Sequence, residues 1–161
     1  MTPCICPSPS GLLSWLKDFS FVGTWLLVII GWLVVNSQNN ARERRKESRS
    51  LVESIEELVL GIEVAAREYY ALSGADPAGQ ALALQIKAGF RTLSSRLKVL
   101  GRYSTKFNAT DELIAFRTAV TGGDFESASR AACPPTHCIY AAISADAGAL
   151  ISLLNLRYAE Q

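Results

Sequence analysis

The stretch Phe19-Ser-Phe-Val-Gly-Thr-Trp-Leu-Leu-Val-Ile-Ile-Gly-Trp-Leu-Val-Val35 carries no ionisable side chain, and Asn36-Ser-Gln-Asn-Asn40 and Arg42-Glu-Arg-Arg-Lys46 follow it at once. A helix this apolar on every side has no aqueous face, which is the pattern of a membrane span. Its 17 residues rise roughly 25 Å as a helix, a little short of a bilayer core of about 30 Å, so flanking residues must help to reach the interfaces. No positively charged leader precedes the run beyond Lys17, and no small-residue cleavage motif ends it. It is therefore expected to stay in the mature protein.

The 161-residue chain has room for one small domain besides this span. The expected organisation is a tail over residues 1–18, the span over 19–35, a polar and basic juxtamembrane helix over 36–50 and a helical bundle over 51–161. The net charge of +1 conceals a strong segregation: residues 42–49 hold five basic and two acidic side chains, and residues 78–106 hold six basic and none acidic. Arg42, Arg44, Arg45, Lys46 and Arg49 outweigh Lys17 on the other flank. The positive-inside rule then places the N-terminus outside and the C-terminal domain in the cytoplasm, at the inner or plasma membrane. Cys4 and Cys6 would lie outside, too close in sequence for an easy mutual disulfide, whereas Cys133 and Cys138 would face a reducing compartment.

Three prolines in residues 1–10 argue against regular structure there. Leu12, Leu16 and Phe19 recur at helical spacing, which makes residues 11–18 a short interfacial helix or the first turns of the span. No helix breaker occurs between Val35 and Ser73. Leu51, Ile55, Leu58, Ile62, Ala65, Tyr69 and Leu72 form a stripe widened by Val52, Val59 and Ala66, so one helix is expected to run from the membrane to about Leu72. The heptad spacing permits a coiled coil, but the width of the stripe suits a bundle better.

Gly74 and Asp76-Pro77 then spell a helix end, an N-cap and a first-turn proline. A returning helix with Leu82, Ile86, Phe90, Leu93, Leu97 and Leu100 on one stripe makes an antiparallel hairpin with the first. Thr110 or Asn108 can cap a short third helix with Leu113, Phe116 and Val120, closed by Gly122-Gly123, and Asp124 can cap one more turn over 125–132. After Cys133-Pro-Pro, with Thr136 as a cap, a last helix carries Tyr140, Ile143, Ala147, Leu150 and Leu154 to about Tyr158. No stretch alternates with period two. The expected fold is all-α: a single N-terminal transmembrane helix continuing into a cytoplasmic antiparallel four-helix bundle with a short, broken third helix.

If the hairpin turns at residues 74–77, positions whose numbers sum to about 151 face each other. Lys98 then falls beside Glu53 and Lys87 beside Glu63, as surface ion pairs worth about 0–1 kcal/mol each. The same arithmetic brings Arg102 and Lys106 against Arg49 and Lys46, a concentration of like charge that calls for an anion. Anionic lipid headgroups meet that need at about 1 kcal/mol per basic residue near the surface, which makes Arg42, Arg44, Arg45, Lys46, Arg49, Arg102 and Lys106 candidate lipid contacts. Nucleic acid fits poorly, because no exposed aromatics are interleaved and no recognition motif is present. Within the span, Trp25 and Trp32 share a face, as do Thr24 and Gly31, which are candidates for self-association.

Catalysis has little to work with. The paired carboxylates Glu56-Glu57 and Asp111-Glu112 are adjacent on helices and point apart, and no nucleophile motif or phosphate-cradling glycine loop occurs. Cys133-Pro-Pro-Thr-His-Cys138 offers three ligand types where a structural zinc site needs four, so it reads as a loop, with His137 as a polar helix start. Neither cofactor nor metal nor small-molecule substrate is expected. Asn108-Ala-Thr matches a glycosylation sequon on the side expected to be cytoplasmic, where it has no use. The chain reads as a non-enzymatic anchor that binds a protein partner or its own copies at the inner face. A second reading, a small membrane-active effector that oligomerises through its span, is opposed by the lack of a polar stripe through 19–35. The layout resembles that of small single-span bacterial proteins, prophage and host-defence accessory proteins among them, in architecture alone and without a shared motif.

Overall fold

The computed structural model describes the backbone of residues 10–160 and the side chains of residues 25–160 except that of Ala41. The tail over 1–9, with Cys4 and Cys6, lies outside the described residues, as do the side chains of residues 10–24. The described residues form helices and no strand: α1 (Ser10–Ala71), α2 (Pro77–Tyr103), a single 3-10 turn (Thr105–Phe107), α3 (Thr110–Thr121) and α4 (Cys138–Ala159). The chain divides into two units, residues 1–44 and 45–161.

In the first unit α1 is unbroken, as the absence of Gly-Pro punctuation over 36–44 leads one to expect. In the second, all four helices contribute to one core. The α1 stripe is Val52, Ile55, Val59, Ile62, Ala65, Ala66, Tyr69 and Tyr70, with Leu51 only partly buried. It is thus turned by about one residue from the expected centre line, because α1 must face α2 and α4 at once. α2 contributes Ala83, Ile86, Phe90, Leu93 and Leu100, α3 contributes Phe116 and Val120, and α4 contributes Ile143, Ala147, Leu150 and Leu154.

The hairpin register agrees with the arithmetic. Arg96 Nη1 donates to the Ser54 hydroxyl, Tyr103 Oη donates to Glu47 at 3.3 Å, and a Cβ added to Gly89 would lie 2.7 Å from the Ile62 side chain. The turn is built as its residues require: the Asp76 carboxylate accepts from Ala78 N–H at 2.8 Å, and Pro77 takes the first helical position, where it has no N–H to satisfy. Polar bonds also join α1 to α4 in antiparallel order, Ser144 Oγ donating to Glu63 at 2.6 Å and Asn155 Nδ2 to Glu56 at 2.6 Å.

Two expectations give way. Residues 125–132 form no helical turn, and α4 begins at Cys138 with His137, not Thr136, as its cap: Nδ1 of the imidazole accepts from Ile139 N–H at 3.2 Å. The first departure has a clear cause. α1 has no basic residue in its last turn, so its terminal carbonyls need donors from elsewhere. Arg130, only 6% exposed, supplies them: its Nη2 donates to Tyr69 O at 3.0 Å and its Nη1 to Leu72 O at 2.9 Å. Its guanidinium also lies 4.1 Å from the Tyr69 ring centroid. The backbone of the same segment closes the cap, with Cys133 N–H donating to Tyr70 O and Gly74 N–H to Arg130 O, both at 2.8 Å. The approach is so close that a Cβ on Gly74 would lie 2.0 Å from Ser127 O. A helical turn over 125–132 would consume the N–H groups and the side chain that α1 needs.

Lysine in place of Arg130 keeps the charge but cannot present a planar fork to two carbonyls and stack on Tyr69. Arg130→Lys is expected to lower unfolding stability by about 2 kcal/mol, the cost of leaving buried acceptors unmet, read by denaturant melts of the full chain in mild detergent. Tyr70 Oη donates to Val120 O at 2.8 Å, and burial, reinforced by the neighbouring Tyr69, pushes its hydroxyl up to about 12. A hydroxyl raised in the fold stabilises fully below its unfolded value near 10 and loses that contribution as pH climbs through about 12. Tyr70→Phe should therefore flatten the fall in stability between about pH 10 and 12, measured as the difference between variant and wild-type melts.

Candidate functional site

The side chains available to meet a membrane are those of residues 25–35 and of the basic positions that follow. Every large apolar side chain from Trp25 to Val35 is between 50% and 72% exposed, so no part of the described protein covers this face. Trp25 and Trp32 are both outward, and a Cβ at Gly31 would have nothing within 4 Å, which leaves a shallow notch for another helix. Thr24, the fourth residue expected at that notch, has its side chain outside the described residues.

By length and composition, one helix among the described residues is apolar enough to cross a bilayer, and it is the C-terminal α4, with a mean hydropathy of 1.5. Residues 19–35, the expected span, fall partly outside the residues whose side chains are described. Composition does not distinguish the two because α4 needs its apolar residues for the core, where Ile143, Ala147, Leu150 and Leu154 are buried. Its polar side chains Ser144 and Asn155 are bonded to α1.

Arg42, Arg44, Arg45 and Lys46 are exposed within about one turn of α1. Arg49 is not equivalent to them. Its Nε pairs with Glu53 at 2.8 Å, its Nη1 donates to Asn155 at 3.3 Å, and its guanidinium lies 5.3 Å from the Tyr158 ring centroid. The residue therefore ties α1 to α4. Arg102 and Lys106 do come to this end of the second unit, since Tyr103 reaches Glu47, and both are exposed. Lys106 Nζ donates to Glu160 O at 3.3 Å, and the C-terminal ends of α2 and α4 lie here with their partial negative charge. The expected like-charge crowding is thus relieved in part by carbonyls and by Glu47 and Glu53.

The cross-hairpin ion pairs do not form. Glu53 is taken by Arg49, Glu63 pairs with Arg67 at 3.1 Å, and Lys87 pairs with Glu126 instead. Partners four residues along the same helix are held in reach by the helix itself, and they outcompete a partner on another helix. The missed interaction is Lys87 with Glu126, a residue at φ 68° whose N–H accepts no helical role and instead donates to Tyr69 Oη at 2.7 Å. Only the wrapping of residues 122–137 around α1 could have revealed it.

Cys133 and Cys138 are free thiols, and among the described residues no three His, Cys, Asp or Glu side chains converge on one point. Tyr140 Oη donates to Cys133 O at 3.2 Å, which fixes the loop to α4. Comparison with family models, with curated proteins and with solved structures gives no match.

Arg49→Gln should separate the two kinds of basic residue. It is expected to cost the second unit about 1 kcal/mol through its lost bonds to Glu53 and Asn155, whereas Lys46→Gln should leave the melt unchanged; equal effects would assign Arg49 to the exposed set.

Proposed function

We propose that the protein is a non-enzymatic single-pass membrane protein. Residues 19–35 cross the inner or plasma membrane with the N-terminus outside, and residues 45–161 form an antiparallel helical bundle that binds a partner at the cytoplasmic face. What supports the reading most is the exposed apolar surface of residues 25–35, next to the exposed cations Arg42, Arg44, Arg45 and Lys46. Water would oppose such a surface at roughly 25 cal/mol per Å², and a bilayer removes the cost. The cations then meet anionic headgroups.

The open surface at Gly31 and the exposed Trp25 and Trp32 support association of the span with a second copy or with a partner's span.

Replacing Arg42, Arg44, Arg45, Lys46 and Arg49 by Gln is expected to scramble the orientation. The readout is labelling of Cys4 in intact cells by a membrane-impermeant maleimide: wild type should label fully and the variant in part. Full labelling of the variant would show that this collar does not set the topology.

A further inference from the structure

The basic stripe of α2 has an outlet other than the one its sequence suggests. Lys87, Arg91 and Lys98 fall within about 40° of one another around the helix axis. That side of α2 looks across a groove of about 700 Å³ towards α3, where Arg117 lines the opposite wall. Phe90 and Phe125 line it as well, and Glu126 is the single carboxylate. The volume lies in the range of small-molecule sites, about 300–1,000 Å³.

Among the described residues Arg91, Lys98 and Arg117 make no ion pair, and Lys87 has only Glu126. Arg96, on another side of α2, is instead bonded to Ser54 of α1. Like charges facing one another across a cleft raise the potential inside it and draw in an anion, and guanidinium groups match phosphate oxygens in planar, bidentate geometry. Two phenyl rings beside the cations suit an anion that carries an apolar or aromatic body.

We infer that the groove between α2 and α3 binds a compact phosphate-bearing ligand, held by Arg91, Lys98 and Arg117, with Glu126 competing for Lys87. The inference is independent of the membrane reading, since none of these residues belongs to the span or the collar. Glu126 acts as a gate on charge. An arriving phosphate takes Lys87 from Glu126, while the left-handed backbone at residue 126 stays held by its N–H bond to Tyr69 Oη.

The test uses the full chain in neutral-detergent micelles and isothermal titration calorimetry with two soluble probes, inorganic tripolyphosphate and ATP. Saturable binding that weakens with salt is expected, tighter for ATP if the phenyl rings take part. The double variant Arg91→Gln with Arg117→Gln should lose about tenfold or more in affinity, as expected for the removal of charge-assisted contacts. Both positions are exposed, so an unchanged thermal melt should accompany the loss. Glu126→Gln should tighten binding by up to about fivefold, the worth of one exposed ion pair. Arg67→Gln, at an exposed cation outside the groove, should change nothing.

A parallel arm uses the chain in phosphatidylcholine nanodiscs with and without a phosphoinositide. Binding confined to that headgroup, and lost in the Arg91/Arg117 double variant, would support the same site with a lipid as its source. Lack of saturation by tripolyphosphate, ATP and phosphoinositide alike would overturn the inference. So would an equal loss in the Arg67 variant, or affinity for single-stranded oligonucleotides that grows with their length beyond that for ATP.

Discussion

The C-terminus of α1 is closed by a residue that lies about sixty positions further along the chain, and much of the second unit follows from that bond. Arg130 reaches Tyr69 O and Leu72 O while its segment's backbone bonds Tyr70 O and Gly74 N–H. A buried cation is stable here because it meets oriented carbonyls, the negative end of a helix and the faces of two tyrosines at once. The same wrapping brings Phe125 onto Tyr69, with ring centroids 4.9 Å apart, and sets Glu126 beside Lys87. An element without regular structure thereby determines where α3 ends and where α4 begins.

The distribution of charge follows from this arrangement. α1 and α4 exchange polar bonds through Glu56, Glu63, Ser144 and Asn155, so Glu53, Glu56 and Glu63 of α1 are occupied locally or by α4. Lys87, Arg91 and Lys98 of α2 are left to the other side, where α3 offers Arg117 and Glu126 is the one acid lining the groove. Charge segregation visible as a run in the sequence becomes a positive cleft in the fold. An excess of this kind costs the fold self-repulsion, and it is tolerated most readily where an anion can offset it.

Two helices compete for the description of membrane segment, and their surroundings differ. α4 satisfies the compositional requirement, yet four of its apolar residues fill the core and its polar side chains are bonded to α1. The apolar side chains at 25–35 have no such cover. Hydropathy measures what a segment would prefer to leave water for, and it is silent on whether protein or lipid receives it.

The sequence by itself determined the helical class, the unbroken α1, the turn at Gly74 to Pro77 and the register of the hairpin, because each rests on local rules: periodicity, caps and the fixed φ of proline. It also marked most of the core, with errors of about one residue in rotation where a helix serves two neighbours, as at Val52 and Tyr70. Only the tertiary structure decided that Arg49 ties α1 to α4, that Lys87 takes Glu126, that Arg130 caps α1 and that the α2 stripe faces α3. Those outcomes depend on which donors and charges arrive in reach after the chain has folded. Residues distant in sequence compete there with local partners, and no spacing rule records the winner.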